Sequence, residues 1–129
     1  MNILDARIED DHTVRLASGP ALQVAGPALG LAKGKPCKVG IRCHHVLLSS
    51  DNGQTNRLDC TVDLSELSGS ETYVHLHLGG DNLVAQLPGV HAVAIDAKVQ
   101  ACVSPEDIFI FDADGALLRA PKESGHGAH

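Results

Sequence analysis

Residues 57–78, RLDCTVDLSELSGSETYVHLHL, constrain the fold of this chain more than any other stretch. Leu58, Cys60, Val62 and Leu64 alternate with Asp59, Thr61 and Asp63, which predicts one apolar face and one wetted face. After Ser68-Gly69-Ser70 the alternation resumes, with Val74, Leu76 and Leu78 on one side and Tyr73, His75 and His77 on the other. Period-two alternation on both sides of a small-residue break predicts a half-buried β-hairpin. Gly69 can take the positive φ that the tight turn requires. The rest of the chain supplies shorter strands to pair with this hairpin and cover its apolar face.

Those strands can be read in order. Ile3 to Ile8 and Thr13 to Leu16 are two strands joined at EDDH, and Ser18-Gly19-Pro20 ends the second. Ala21 to Ala25 is a third, broken by Gly26-Pro27, and ALGLAKGKP (28–36) is a loop. Cys37 to Arg42 turns Val39 and Ile41 inward, and Val46-Leu47-Leu48 continues the strand after Cys43-His44-His45. SSDNGQTN (49–56) is a polar turn leading into the hairpin. Beyond it, Gly79-Gly80-Asp81-Asn82 turns into a strand over Leu83 to Leu87. Lys98 to Val103 alternates with Val99, Ala101 and Val103 inward. Ser104 caps a single helical turn with Pro105 next, and Ile108 to Phe111 is an apolar run. DADG (112–115) turns that run into Ala116 to Arg119. About ten short strands with regular turns and at most single-turn helices predict an all-β barrel over 1–119. Residues 120–129, APKESGHGAH, are expected to be a disordered tail.

Composition narrows the function. An apolar fraction of 43% is enough for a core without staples. The net charge of −6 argues against a nucleic-acid partner, which needs a basic surface. Tyr73, Phe109 and Phe111 are the only aromatic side chains, too few to stack single-stranded bases. No apolar run approaches the ~20 residues of a membrane helix, and no secretory leader is read. Cys37, Cys43, Cys60 and Cys102 lack any paired spacing, so they are expected to be reduced thiols in the cytoplasm, two of them in the core.

Four features could carry chemistry, and each has a plainer explanation. LSGSE (67–71) is similar to LSGGQ, with which ABC ATPases contact ATP, but that sequence opens a helix and this one precedes an alternating strand. GLAKGKP (30–36) has the Gly-Lys of a phosphate loop, but Pro36 occupies the Ser/Thr position that would hold magnesium. Cys43, His44 and His45 with His75 and His77 are metal-ligand types, yet their spacing fits no established zinc site. His75 and His77 could complete such a site only if their strand lay beside 39–48. Glu66, Glu71, Glu106 and Asp107 show no acid–base spacing and read as solvated turn residues.

Three ordered segments together resemble one family: VGIRCHH (39–45), LSGSETYVHLHL (67–78) and SPEDIFIFDADGALL (104–118). They resemble the TOBE (transport-associated OB) domain, the C-terminal regulatory domain of ATP-binding subunits in carbohydrate ABC importers of the maltose and glycerol-3-phosphate type. Met1-Asn2-Ile3-Leu4 resembles the entry into that domain, and the likeness spans nearly all of 1–119. By position, Val39, Gly40, Ile41, Arg42 and His45 match the family's first segment. Leu67, Gly69, Glu71 and Thr72 match its hairpin, and Pro105, Glu106, Phe111 and Asp112 its closing turn and strand. Cys43 and His44 depart from it, standing where the family commonly has Pro-Glu.

The resemblance implies an OB-like barrel with no catalytic residue, no cofactor and no resident metal. It implies a cytoplasmic regulatory and dimerisation module, peripheral to the inner membrane. Its partners would be a second ATPase subunit, regulatory proteins and, through the longer protein, membrane permease subunits. Nucleotide chemistry in the family belongs to a separate domain, and this chain has no Walker A, Walker B or switch histidine. The alternative is a small-ligand binder for an oxyanion or a metal, since some relatives of the fold hold oxyanions such as molybdate at subunit interfaces.

Overall fold

Alternation becomes strand nearly everywhere that it occurs. The computed structural model describes residues 1–48 and 56–121. The strands are β1 (Asn2–Asp10), β2 (Thr13–Leu16), β3 (Ala21–Gln23), β4 (Pro36–Ile41), β5 (Asn56–Ser68), β6 (Glu71–Leu78), β7 (Asp81–Pro88), β8 (Lys98–Val103), β9 (Ile108–Asp112) and β10 (Leu117–Arg119). Single 3₁₀ turns stand at Cys43–His45 and Pro105–Asp107. Every pairing is antiparallel, in one sheet ordered β10-β9-β4-β1-β2-β3 and another ordered β7-β6-β5-β8.

The inner faces of both sheets share one core. Leu4, Ile8, Val39 and Ile110 enter it from the larger sheet, and Leu58, Val62, Leu76 and Leu83 from the smaller. Burying such side chains is the main favourable term in folding. The result is all-β and OB-like, as expected, with the curled sheets forming a half-barrel.

Two asparagines join the sheets. Asn2, at the start of β1, accepts from the Val84 N–H (2.8 Å) and donates to the Val84 carbonyl (3.0 Å). Asn56, at the start of β5, accepts from the Gln23 N–H (2.8 Å) and donates to the Gln23 carbonyl (2.9 Å). Val84 lies on β7 and Gln23 on β3, each an outermost strand of its sheet. Each side-chain amide therefore stands in for a neighbouring peptide group on the opposite sheet's edge. Buried backbone polar groups need such partners, and both asparagines are buried.

The structure corrects four expectations. Leu64 is exposed rather than inward, because the register slips between Val62↔Leu76 and Leu64↔His75. Asp63 is the extra residue of that β-bulge, and one extra residue moves everything after it to the other face. Val46 to Leu48 does not extend β4: the Cys43–His45 turn intervenes, and Leu47 makes only an isolated bridge to Cys102. The third strand stops at Gln23. Three cysteines are buried, not two: Cys37, Cys60 and Cys102. The expected turn over 49–55 and tail over 122–129 lie outside the described residues. No described helix is long and apolar enough to cross a membrane.

Candidate interaction surface

The motif residues divide into two groups. Gly40, Arg42 and His45 stand on β4 and the turn after it, and β9 runs alongside, so the 104–112 segment packs beside them. Gly69 and Glu71 stand at the far hairpin, where they serve the turn. Gly69 has φ +61°. Glu71 accepts from Gln86 Nε2 at 2.8 Å. The buried Thr72 donates its hydroxyl to the Gly89 carbonyl (2.8 Å) and accepts from the His91 N–H (3.1 Å), which pins the loop after β7.

On the outer face of β4, Gly40 is needed for space rather than for its φ. A Cβ there would lie 2.7 Å from Met1 Sδ and 2.9 Å from a ring carbon of Phe111. The missing side chain lets the two phenylalanines of β9 lie over the strand, a use of glycine within sheets where another group approaches closely. Their rings are 6.1 Å apart and nearly parallel. Arg42 places its guanidinium 5.2 Å from the Phe109 ring centre, within cation–π range. Met1, Ile3 and Leu117 are exposed beside them. In the paired registers Ile3 is opposite Gly40, and Leu117 is opposite Phe111. The result is an apolar, partly aromatic patch, with Arg42 over Phe109 and Lys38 opposite Phe111.

Below the patch, polar residues fix the backbone. The 104–107 turn forms as the sequence predicts, with Ser104 Oγ accepting from the Glu106 N–H (3.4 Å). The Pro105 carbonyl accepts from the Ala25 N–H (3.0 Å). Pro105 and Glu106 line a small cleft of about 290 Å³ with Pro27 and Arg119. Arg119 donates to the Ala25 carbonyl (2.7 Å) and to that of Pro27. Asp112 Oδ1 accepts from the N–H groups of Asp114 and Ala116, both at 2.9 Å, so it holds a turn. His45 stacks obliquely on His44, 4.2 Å between ring centres, with its Nδ1 3.9 Å from Asp107. Burial pushes the His45 imidazole below its ordinary pKa; His44 and Arg42 add to that, while Asp107 opposes it.

Among the described residues, the motif positions assemble no acid–base or nucleophile–base pair around a cleft. His75 and His77 lie on the wetted face of β6, in the other sheet from β4, as half-exposed partners of Glu66 (2.6 Å) and Asp63 (2.5 Å). The condition for joining Cys43 and His44 is therefore not met. Among the described residues, no three His, Cys, Asp or Glu side chains converge as metal ligands. LSGSE straddles the β5–β6 turn and opens no helix. Sequence reasoning missed Phe109, Ile3 and Leu117 as surface residues. The available signal was a glycine inside a strand together with the Phe-x-Phe spacing.

The chain is an all-β, OB-like half-barrel whose motif residues make turns and a surface patch. Residues 39–111 match the family model described as the TOBE domain, and the chain belongs to that family. It is 34% identical over 115 residues to the sn-glycerol-3-phosphate import ATP-binding protein UgpC of Chromobacterium violaceum, covering 88% of this chain and 30% of that protein. It is 31% identical over 117 residues to the sulfoquinovosyl glycerol transport ATP-binding protein SmoE of Agrobacterium fabrum, covering 88% and 32%. The chain thus spans about a third of the length of these relatives. Among solved structures it resembles the cytoplasmic molybdate-binding protein ModG, with TM-score 0.75 and 18% identity over 89% of this chain and 95% of that one. At that identity the likeness shows the fold.

Proposed function

We propose that this chain is the regulatory and dimerisation domain of the ATP-binding subunit of a carbohydrate-type ABC importer, with the ATPase domain lying outside it. The observation that carries this reading is the family match over 39–111, joined to relatives named as import ATP-binding proteins of which the chain spans only about a third. Residues 1–119 form the domain and 120–129 a tail. The domain itself is non-enzymatic; a second ATPase subunit and regulatory proteins are its partners. In the longer protein it works on the cytoplasmic side of the membrane, next to permease subunits. The Arg42–Phe109–Phe111 patch offers apolar contact area fixed by the sheet behind it, as a partner surface requires.

The test is calorimetric titration of the chain with Mg-ATP, alongside ATPase assays of the full subunit carrying this domain. No nucleotide site is expected in the chain, and Phe111→Ser is expected to change the regulation or dimerisation of the full subunit without changing its ATP affinity. A stoichiometric micromolar nucleotide site in the chain itself would refute the reading. The alternative, a small-ligand binder, has for support the groove of about 550 Å³ lined by Arg7, Arg15, Lys33 and Lys38, on the same sheet face as the patch.

A further inference from the structure

The smaller sheet has a length of open edge in its interior. Along β5, β8 is the outer partner from Asn56↔Val103 to Thr61↔Lys98. Val62 carries the ladder one step further, donating to the Ala97 carbonyl (2.9 Å) and accepting from the Asp96 N–H (2.7 Å). There the other chain segment turns off: Asp96 takes φ +68°, and the Ala97 N–H bonds back to the Ala94 carbonyl (3.2 Å). β5 runs on to Ser68, paired with β6 from Leu64↔His75 to Ser68↔Glu71. Among the described residues, no backbone group bonds to 63–68 from the side that β8 has left. Those six residues span about 20 Å of strand, and five of the six are exposed.

A row of unpaired N–H and C=O groups recruits further strands, so sheet edges are normally blocked by lysine, proline or a covering element. The β7 and β3 edges meet the Asn2 and Asn56 clasps. The 63–68 edge, DLSELS, has no such clasp and contains neither lysine nor proline. On its wetted face stand two carboxylates, Asp63 and Glu66, each held by a histidine of β6. On its opposite face Leu67 is 59% exposed across from the buried Thr72, and Ile95, just before the turn-off, is 66% exposed. A strand laid along this edge therefore meets negative charge on one face and apolar side chain on the other. The same charge disfavours a second copy. Two such edges side by side would gather four carboxylates, between chains of net charge −6 each.

We propose that the 63–68 edge of β5 takes an extended peptide of a partner protein, with alternating basic and apolar residues, as an added antiparallel strand. The peptide stands in for the missing length of β8: its backbone continues the ladder, its basic side chains lie over Asp63 and Glu66, and its apolar ones pack against Leu67. This edge belongs to the sheet that does not carry the Arg42–Phe109–Phe111 patch, so the proposal and the regulatory reading can each fail alone.

The experiment is calorimetry and amide exchange of the chain with the end-blocked hexapeptide Lys-Val-Lys-Val-Lys-Val. The controls, at matched ionic strength, are a Glu-for-Lys copy and a Lys-Lys-Lys-Val-Val-Val copy, which keeps the charge and loses the alternation. Saturable one-to-one binding is expected, with a Kd on the order of 0.1 mM or tighter, and exchange should slow within 63–68. The Glu copy should not bind, and the block copy should bind about fivefold more weakly or worse. Glu66→Lys, which reverses the charge, and Leu67→Lys, which blocks the edge, should each weaken binding by about fivefold or more. Both positions are exposed, so both variants should fold. The absence of saturable binding, equal binding of either control peptide, or full binding by folded Glu66→Lys protein would overturn the proposal. So would exchange over 63–68 that slows with chain concentration alone, which would give the edge to a second copy. Loss of peptide binding in Phe111→Ser would also overturn it, by giving the peptide to the patch.

Discussion

Replacing Asn56 by alanine removes both hydrogen bonds that tie β5 to the Gln23 edge of the other sheet. Each such bond contributes about 1 kcal/mol net, and stranding its partner costs about 1–3 kcal/mol when water cannot replace the lost group. Gln23 is itself exposed, so water recovers part of that penalty. The expected loss is therefore about 2–3 kcal/mol, a large share of the ~5–15 kcal/mol that holds a domain of this size together. At about 3–5 °C per kcal/mol, the melting temperature should fall by roughly 10 °C. Asn56→Asp should be no better: its carboxylate still accepts from the Gln23 N–H but repels the Gln23 carbonyl. Urea denaturation gives the energy, and amide exchange at Gln23 gives the local event, since its N–H bonds to Asn56 Oδ1. Asn2→Ala should expose the Val84 amide in the same way. A change below about 0.5 kcal/mol, with exchange at Gln23 unaltered, would refute the account.

Gly69→Val should cost about 1–3 kcal/mol by urea denaturation, all of it backbone strain, because φ is +61° and a Cβ there meets nothing within 4 Å. Gly40→Val should force Met1 and the phenylalanines off β4, at about 1–3 kcal/mol, read as altered Phe109 and Phe111 side-chain resonances. The His45 pKa is depressed in the folded chain, so the unfolded chain binds more protons near pH 6.5. Stability should rise with pH through that region and be lost as pH falls below it; His45→Gln should flatten the slope in pH-dependent melts. Burial pushes the Cys60 thiol up to about 11 and also raises that of Cys37. At pH 8, iodoacetamide followed by mass spectrometry should therefore modify the half-buried Cys43 first and the other cysteines only in denaturant.

The candidate surface was only half legible in the sequence. Gly40, Arg42 and Asp112 could be picked out by their resemblance to a family, but what surrounds them depends on which strand pairs with β4. That strand is β9, nearly seventy residues away in sequence, and the pairing alone puts Phe109 beside Gly40. His75 and His77 show the converse. Their alternation correctly placed them on a wet face, yet only the sheet order shows that Cys43 and His44 lie elsewhere.

By itself the sequence determined most of the strands, the turn at Gly69, the capped turn at Ser104 and the all-β class. Each of these rests on the two-residue period of a strand or on the φ and hydrogen-bonding habits of single residues, which act over a few positions. The tertiary structure decided the bulge at Asp63, the Asn2 and Asn56 clasps and the point at which β8 leaves the edge of β5. These depend on register between distant segments, and register is fixed only when two apolar faces close on a common core.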